Sequence, residues 1–213
     1  MARILITSGP TRQYIDPVRY LTNASSGRMG SALAAAALAD GHEVIVVSGP
    51  VVVDYPAAAR VIWVTSTDEM LEISQREFAV CDGLIAAAAP CDYQPVRVEQ
   101  HKIAKTGQPL VLHLIETPDI AATLGAAKRA EQWTVGFALE TEDQRFRALT
   151  KLEKKSCDLI VLNGPEAMNS DENQVEVLDR TGTVIAAAHG SKPHVAATIL
   201  QVIGDRLIRA VGD

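Results

Sequence analysis

The chain has 213 residues, is 47% hydrophobic but only 4% aromatic, and carries a formal net charge of −6. This length allows one large domain whose core is built from Ala, Val, Ile and Leu. The acidic balance, without a basic stripe, argues against nucleic-acid binding, and no apolar run approaches the roughly 18 residues of a membrane-spanning helix. The N-terminus enters a strand at once, and the three cysteines lack CxxC spacing. We therefore expect a cytoplasmic protein with reduced thiols.

Short apolar runs alternate with helical patterns along the chain. The predicted strands are Arg3–Thr7, Glu43–Ser48, Val61–Val64, Gly83–Ala88, Thr134–Ala138 and Leu159–Leu162. The predicted helices are Arg28–Asp40, Asp68–Phe78, Pro118–Ala130, Glu142–Lys155 and Lys192–Ala210. This alternation predicts an α/β fold with a Rossmann-like, doubly wound, mostly parallel sheet. No linker, repeat or low-complexity tract interrupts it, so we expect a single domain over residues 1–213.

Two segments depart from the alternation and predict a small antiparallel excursion. Lys102–Ile115 contains an extended stretch, Leu110–Leu114, after a glycine-containing turn. Near the end, Gln174–Leu178 and Thr183–Ala187 flank the turn Asp179–Gly182, which is typical of a β-hairpin.

Local signals mark where several helices begin and end. Ser66 with Glu69 three residues later forms a capping box, and Gly41 is placed to end the helix before it. Thr117 followed by Pro118 is typical of an N-cap and a first helical residue.

Residues 4–30 join a buried strand to a helix through a long polar loop. Ser25-Ser26-Gly27 precedes the helix and offers an N-cap hydroxyl and backbone N–H groups, the arrangement with which α/β proteins hold a phosphate. A simple helix cap is the structural alternative. Gly9 lacks the spaced glycine partners of a dinucleotide site, and no acidic residue ends the second strand.

Other polar residues also have structural alternatives. Asn23 fits an Asx turn, Phe137 fits a core position, and the lysine pairs fit solvated surfaces. The five histidines show no metal-binding spacing, so metal ligands stay unknown.

A set of motifs occurs in one order over nearly the whole chain. They are residues 4–30, Ala86–Ala88, Asp92, Lys102–Lys105, Thr117–Ile120, Val135–Thr141, Lys151–Lys155 and Ser170–Asn173. This set resembles the phosphopantothenoylcysteine synthetase family, which in bacteria is often the C-terminal half of a fusion with a flavin-dependent decarboxylase. Because this chain begins at the synthetase strand, the resemblance implies a stand-alone synthetase without flavin.

The resemblance also implies the roles of individual residues. Asn23 would contact the activated acyl group, since an amide can donate to a developing oxyanion without adding net charge. Lys102 would act at the reacting end of the nucleotide. The nucleotide-binding residues that it implies are Ser25, Ser26, Gly27, Ala86, Ala87, Ala88, Asp92, Lys102, Lys105, Pro118, Asp119, Ile120, Ala121, Phe137, Lys151 and Lys155.

The lysine-rich loop departs from the family pattern, in which two adjacent lysines close a four-residue motif. This chain has Ala104 between Ile103 and Lys105, so one positive charge is missing. We expect the loop to be mobile and to close over the nucleotide.

The implied activity is a two-step ligation that requires CTP, 4′-phosphopantothenate and cysteine. The carboxylate of phosphopantothenate attacks the α-phosphate of CTP, and the amine of cysteine then attacks the acyl-cytidylate. Mg²⁺ would be bound through the nucleotide phosphates. The family works as a dimer, and either the hairpin or Lys102–Ile115 could supply the contact between subunits.

Two alternatives belong to other functional classes. An NAD(P)-dependent oxidoreductase is disfavoured because the glycine fingerprint is absent, and a cofactor titration would distinguish it. A non-catalytic nucleotide-binding module is favoured only by the altered lysine loop, and pyrophosphate release with and without phosphopantothenate would distinguish it.

Overall fold

The structure, a computed structural model, describes residues 1–139, 143–164 and 172–209. The strands in chain order are β1 (Arg3–Ser8), β2 (Arg12–Tyr14), β3 (Tyr20–Thr22), β4 (Glu43–Ser48), β5 (Arg60–Trp63), β6 (Gly83–Ala86), β7 (Tyr93–Pro95), β8 (Leu114–Glu116), β9 (Trp133–Leu139), β10 (Leu159–Asn163), β11 (Glu172–Asp179) and β12 (Val184–Ser191). The helices are α1 (Arg28–Ala39), α2 (Thr67–Phe78), α3 (Ile120–Ala127), α4 (Gln144–Lys154) and α5 (Lys192–Ile203).

The large sheet has eight strands in the order β12-β11-β10-β9-β6-β1-β4-β5. The six strands from β10 to β5 pair in parallel, and β11 and β12 pair antiparallel at one edge. This topology confirms the predicted α/β, Rossmann-like sheet. The chain passes from β1 to β4 on one side and later adds β6 on the other, so the carboxyl ends of β1 and β6 form the switch point at which such sheets bind ligands.

Alternate residues of the buried strands face two different helical layers. Ile4 and Ile6 pack with α1 and α5, whereas Leu5 packs with α2 and α3, and all three side chains are fully buried. Strands covered on both faces appear in sequence as continuous apolar runs, which is why these were predictable. Each such side chain contributes about 1.5–3 kcal/mol by burial.

Two of the predicted helix signals are confirmed. Ser66 and Glu69 form the expected capping box on α2, and Gly41 has φ +79° after the C-cap of α1. The last helix is shorter than predicted, because α5 ends at Ile203 and a π-helical turn, Gly204–Ile208, follows. The predicted boundary residues Glu142 and Ala210 lie outside the described residues.

The antiparallel excursions are present, with different limits. β7 pairs with β8, and within the predicted extended stretch Leu110–Leu114 only Leu114 belongs to a strand. β11 and β12 form the predicted hairpin, and Gly182 has φ +82° in its turn. No helix in the described part of the chain combines the length and the apolar character needed to cross a bilayer.

Candidate active site

Two cavities of about 430 Å³ each lie at the carboxyl edge of the sheet, one toward each helical layer. The α3 cavity is lined by residues at the start of α3 and the end of α4, and the α1 cavity by residues at the start of α1 and α5. Ala88, Asp92 and Phe137 line both cavities. The two spaces therefore adjoin beside the switch point.

Most predicted site residues line one of these cavities. The α3 cavity contains Ala86, Ala88, Asp92, Pro118, Asp119, Ile120, Ala121, Phe137 and Lys155. The α1 cavity contains Asn23, Ser25, Ser26, Gly27, Ala87, Ala88, Asp92 and Phe137. Lys102, Lys105 and Lys151 line neither cavity. The motif residues Glu140, Thr141, Ser170 and Asp171 lie outside the described residues.

The start of α1 differs from the predicted serine cap. Gly27 is the N-cap, with φ +75°, and no side chain caps the helix. A Cβ at Gly27 would lie 2.8 Å from a methyl group of Val51, so both the conformation and the close packing require glycine. The hydroxyls of Ser25 and Ser26 are thus not used as caps, and the first backbone N–H groups of α1 meet the cavity at the positive end of the helix dipole.

Asn23 is held beside the strand-end segment Pro90–Asp92. Its Nδ2 donates to the carbonyl oxygen of Pro90 at 2.8 Å. An amide nitrogen has two hydrogens, so this bond orients the group and leaves a second donor. Asn23 lines the α1 cavity and is therefore placed to donate to a bound oxygen.

A closed ring of hydrogen bonds fixes the residue that follows Pro90. The backbone N–H of Cys91 donates to Thr11 Oγ1 at 2.7 Å, and Thr67 Oγ1 donates to the carbonyl oxygen of Cys91 at 3.2 Å. Thr11 Oγ1 and Thr67 Oγ1 are 2.8 Å apart. Because the Thr67 hydrogen is committed to Cys91, Thr11 must donate to Thr67. The ring was not predicted from the sequence, because nothing near Thr11 indicates that its partner is Cys91, 80 positions later.

The start of α3 corrects a second predicted cap. Asp119, not Thr117, is the N-cap, and its Oδ1 accepts from the N–H of Ala122 at 3.0 Å. Thr117 instead donates its hydroxyl to the carbonyl oxygen of Cys91 at 2.6 Å. The helix therefore begins at Ile120, and its N-terminus faces the α3 cavity.

Lysines at the end of α4 supply positive charge to the α3 cavity. Lys154 and Lys155 line it, and Lys155 Nζ lies 3.2 Å from Asp119 Oδ2. The chain turns sharply here because Ser156 adopts φ +51° and the N–H of Cys157 returns to the carbonyl of Leu152. This is a Schellman motif without glycine. The N–H of Lys155 still donates to the carbonyl of Lys151 at 2.9 Å, so the two lysines keep the predicted helical spacing, although only Lys155 lines the cavity.

The lysine-rich loop is tied to the loop after β2. Ile103 donates its N–H to Asp16 Oδ2 at 3.1 Å, and its carbonyl accepts from Arg19 at 2.6 Å. Burial of Asp16 raises its pKa, but hydrogen bonds from Val18, Ile103 and Arg19 outweigh burial and hold that pKa well below its usual range. The position beside Lys102 is therefore anchored, which limits the predicted mobility to the part beyond Ile103.

The other polar features of the site offer no dense cluster of metal ligands. Among the described residues, no three His, Cys, Asp or Glu side chains come together in a way that would hold a metal ion. Cys81, Cys91 and Cys157 are buried and are not joined in disulfides. Burial raises the pKa of Cys81 and of Cys157 to about 11, so these two thiols stay protonated near neutral pH.

Comparisons with known proteins agree with the fold described above. The family of DNA/pantothenate metabolism flavoprotein C-terminal domains matches residues 1–207. The coenzyme A biosynthesis bifunctional protein CoaBC of Bacillus subtilis (strain 168) is 42% identical over 205 residues, which cover 94% of this chain and 50% of that protein. A cysteine/cysteine sulfinic acid decarboxylase from an unknown prokaryotic organism is 42% identical over 207 residues, which cover 94% and 57%.

A solved structure shares both fold and sequence. The crystal structure of the C-terminal domain of the coenzyme A biosynthesis bifunctional protein CoaBC has a TM-score of 0.81 and 37% identity, covering 97% of this chain and 96% of that one. The chain spans about half the length of the Bacillus subtilis CoaBC protein and of the decarboxylase named above. By the family match and these identities, this chain belongs to the family of DNA/pantothenate metabolism flavoprotein C-terminal domains.

Proposed function

We propose that the chain is a phosphopantothenate–cysteine ligase of coenzyme A biosynthesis, using CTP rather than ATP. The observation that carries this proposal is the pair of cavities that adjoin at Ala88, Asp92 and Phe137. A ligation through an activated acid needs space for a nucleotide and for an acid, with their reacting ends together. The names of the CoaBC relatives, and the CoaBC C-terminal domain that this chain covers, support the same activity.

The α3 cavity is proposed to hold the nucleoside. Small side chains at Ala86 and Ala88 let a flat base approach the main chain, and Phe137 offers a ring on which a base can stack. Lys155 and the N-terminus of α3 place positive potential in the same space. Base contacts made through the main chain leave little side-chain signature of the base, so the CTP preference rests on the family resemblance.

The triphosphate is proposed to run toward the start of α1. Ser25, Ser26 and Gly27 surround the helix N-terminus there, with hydroxyls that the helix does not use. Mg²⁺ bound mainly to phosphate oxygens needs few protein ligands, which fits described residues that hold no three-ligand cluster. When bound, Mg²⁺ would offset phosphate charge during attack on the α-phosphorus.

In the first step, a carboxylate oxygen of 4′-phosphopantothenate attacks the α-phosphorus of CTP. A P–O bond forms, the bond to the β-phosphate oxygen breaks, and pyrophosphate leaves. In the second step, the amine of cysteine attacks the acyl carbon and CMP leaves with the bonding electrons. The nitrogen loses its ammonium proton before attack and a second proton as the amide forms.

Asn23 is proposed to stabilise the oxyanion of the second step. Its Nδ2 is oriented by Pro90, and the amide adds no charge that would repel either phosphate or carboxylate. Preorganised donors of this kind commonly contribute factors of about 10² or more in rate. The ring at Cys91 holds Pro90, and thereby Asn23, in position.

Lys102 and Lys105 are proposed to act from the lysine-rich loop. The anchored Ile103 keeps Lys102 near Asp16 and Arg19. The long side chain of Lys102 would have to reach the phosphates from this position.

We further propose a homodimer whose subunits meet through the β7–β8 excursion, which consists of β7, β8 and the residues between them. Val96, Leu110 and Val111 of this excursion are 62%, 55% and 73% exposed, and each copy would bury them on association.

Pyrophosphate release measured with purified chain tests the proposed function. CTP and phosphopantothenate together are expected to give pyrophosphate, and added cysteine to give phosphopantothenoylcysteine and CMP. Each substrate alone is the control. Release that does not depend on phosphopantothenate would show that the acid is not the group activated, and would contradict the proposal.

A further inference from the structure

The turn after α4 fixes the main chain beside Lys155, the lysine that lines the α3 cavity. Ser156 follows Lys155 and adopts φ +51°, a left-handed conformation that few residues other than glycine adopt. Such a conformation persists only where surrounding contacts determine it, and it is frequent at functional sites. The contacts of this turn therefore indicate how the chain directs Lys155.

Lys128, the C-cap residue of α3, holds this turn through the carbonyl oxygen of Ser156. Its Nζ donates to that oxygen at 2.9 Å, to Asp158 Oδ2 at 2.6 Å and to Thr134 Oγ1 at 3.3 Å. An ammonium has three hydrogens, so all of them are used within the protein. Thr134 Oγ1 adds a second bond to the same carbonyl at 3.2 Å. Lys128 and Thr134 together therefore fix the turn from its carbonyl side.

Asp158 keeps the Lys128 ammonium in place and offsets its charge. Asp158 Oδ2 also accepts from the N–H of Thr134 at 2.7 Å, and Oδ1 accepts from Arg180 in the turn between β11 and β12. The side chains of Lys128 and Asp158 are only 13% and 17% exposed. Lys128 lines neither the α3 cavity nor the α1 cavity. An effect of this lysine on the site therefore has to act through the turn.

Close packing against α3 fixes the main chain of Lys155 a second time. A Cβ at Gly125 would lie 2.0 Å from the carbonyl oxygen of Lys155, so the two backbones are in direct contact. Lys155 Nζ lies 3.2 Å from Asp119 Oδ2, at the N-cap of the same helix. Gly125 and Asp119 are about 9 Å apart along the helix axis. Because the ammonium is at the end of so long a side chain, a small rotation of the turn would move it away from the cavity.

We propose that Lys128 is a positioning residue for nucleotide binding, which acts through Ser156 and Lys155 and does not touch the nucleotide. This inference rests on the proposed function, in which Lys155 binds the nucleotide in the α3 cavity. Lys128, Thr134 and Asp158 hold the turn in its left-handed conformation, so Lys155 is directed into the cavity before the nucleotide binds. A lysine directed in advance loses less conformational entropy on binding, which raises the affinity for the nucleotide.

CTP binding measured by isothermal titration calorimetry, below the thermal unfolding of every variant, tests this role. Lys128→Met keeps a long side chain but cannot hold the Ser156 carbonyl, and it is expected to weaken CTP binding about fivefold. The KM for cysteine should be unchanged. Arg129→Met is the matched control, because it also removes a positive charge and a bond to a main-chain carbonyl, that of Ala79. It should leave the CTP affinity unchanged.

A double-mutant cycle tests whether the effect of Lys128 passes through Lys155. If Lys128 acts only by directing Lys155, Lys128→Met should weaken CTP binding no further once Lys155→Met is present. Fold-changes that multiply in the double variant would mean that Lys128 acts on the nucleotide independently, and would overturn the proposal. An unchanged CTP affinity in the single variant Lys128→Met would also overturn it.

Two further variants act on the turn itself. Ser156→Gly permits the left-handed conformation without strain, so adding it to Lys128→Met should restore most of the CTP affinity. Restored thermal stability without restored affinity would contradict the proposal. Thr134→Val keeps the shape but removes the second donor to the Ser156 carbonyl, and it replaces Lys128→Met in the cycle if that variant does not fold. It should also weaken CTP binding, and an unchanged affinity would count against the positioning role.

The outcomes separate this inference from the proposed function. If pyrophosphate release depends on phosphopantothenate but the cycle shows independent effects, the ligation stands and only the role of Lys128 fails. If the wild-type chain binds no CTP, the nucleotide site of the proposed function fails, and the positioning role fails with it.

Discussion

Thr11 Oγ1 and Thr67 Oγ1 lie 2.8 Å apart and join the N–H and the C=O of one residue, Cys91. Both threonines are fully buried. The hydrogens run in one direction around this ring, so removal of the Thr11 hydroxyl leaves the Cys91 N–H unpaired, whereas the Cys91 carbonyl also accepts from Thr117. The ring fixes Cys91 between Pro90, which orients Asn23, and Asp92, which lines both cavities.

Thr11→Val is expected to lower both stability and turnover. The valine keeps the shape but leaves the Cys91 N–H without an acceptor, which costs about 2 kcal/mol, or roughly 4–8 °C in Tm. The shift of Pro90 should also lower kcat for amide formation. Thr11→Ser retains the hydroxyl and is the control, to be compared by thermal unfolding and by steady-state kinetics. Equal Tm values for the valine and serine variants would contradict the ring's contribution.

Asn23→Ala should leave the fold intact and slow amide formation. Asn23 is a loop residue, so little core burial is lost, whereas the loss of an oxyanion donor should reduce the rate by about 10² or more. Rapid-quench measurement of acyl-cytidylate decay with cysteine checks this. Thr22→Val removes a comparable side-chain bond to the main chain, from Thr22 Oγ1 to the carbonyl of Thr11, and should retain most activity. If the acyl-cytidylate decays at a near wild-type rate in Asn23→Ala, Asn23 has only a structural role.

Lys155→Met should raise the KM for the nucleotide more than Lys151→Met. Lys155 lines the α3 cavity and approaches Asp119, whereas Lys151 lines neither cavity. A charge-assisted bond to phosphate contributes about 1.5–3 kcal/mol, so an increase of tenfold or more is expected for Lys155 and less than threefold for Lys151. Initial rates at varied CTP concentrations measure both. Equal effects would mean that the two lysines act together, as helical spacing predicted.

The sheet and its order of elements were predictable from sequence because their signals are local. Continuous apolar runs such as Ile4–Ile6 define buried parallel strands, and Ser66 with Glu69 defines a helix start regardless of distant residues. Gly41 likewise needs only its own positive φ to end α1.

The features that sequence missed depend on distant partners. Thr117 and Asp119 are both good N-caps, and the choice between them is made by the bond from Thr117 to Cys91. No glycine marks the end of α4 in the sequence, since Ser156 adopts the left-handed conformation that glycine usually supplies. Asn173 lay within a predicted motif, yet only the folded structure brings it to the cavity that Asn163 and Lys192 also line.

Asp16→Asn should reduce stability in a way that depends on pH. The folded-state pKa of Asp16 lies below its unfolded value of about 3.9, so its contribution is complete above about pH 5 and is lost as pH falls below about 4. The difference in Tm between wild type and variant should therefore be largest near neutral pH and shrink toward pH 3. Exposed Asp54→Asn is the control. The variant also places an amide N–H against the N–H of Ile103, so kcat should fall if the anchored loop positions Lys102.

Val111→Asp should convert the proposed homodimer to monomers. Val111 is 73% exposed on the apolar β7–β8 excursion, and a carboxylate there would be desolvated on association. Sedimentation velocity over a range of concentrations is the measurement. Val52→Asp, 99% exposed on a different loop, introduces the same change away from the excursion and should remain dimeric. A wild-type chain that sediments as a monomer would contradict the homodimer itself. A dimeric Val111→Asp variant would instead place the interface elsewhere, with the β11–β12 hairpin as the next segment to substitute.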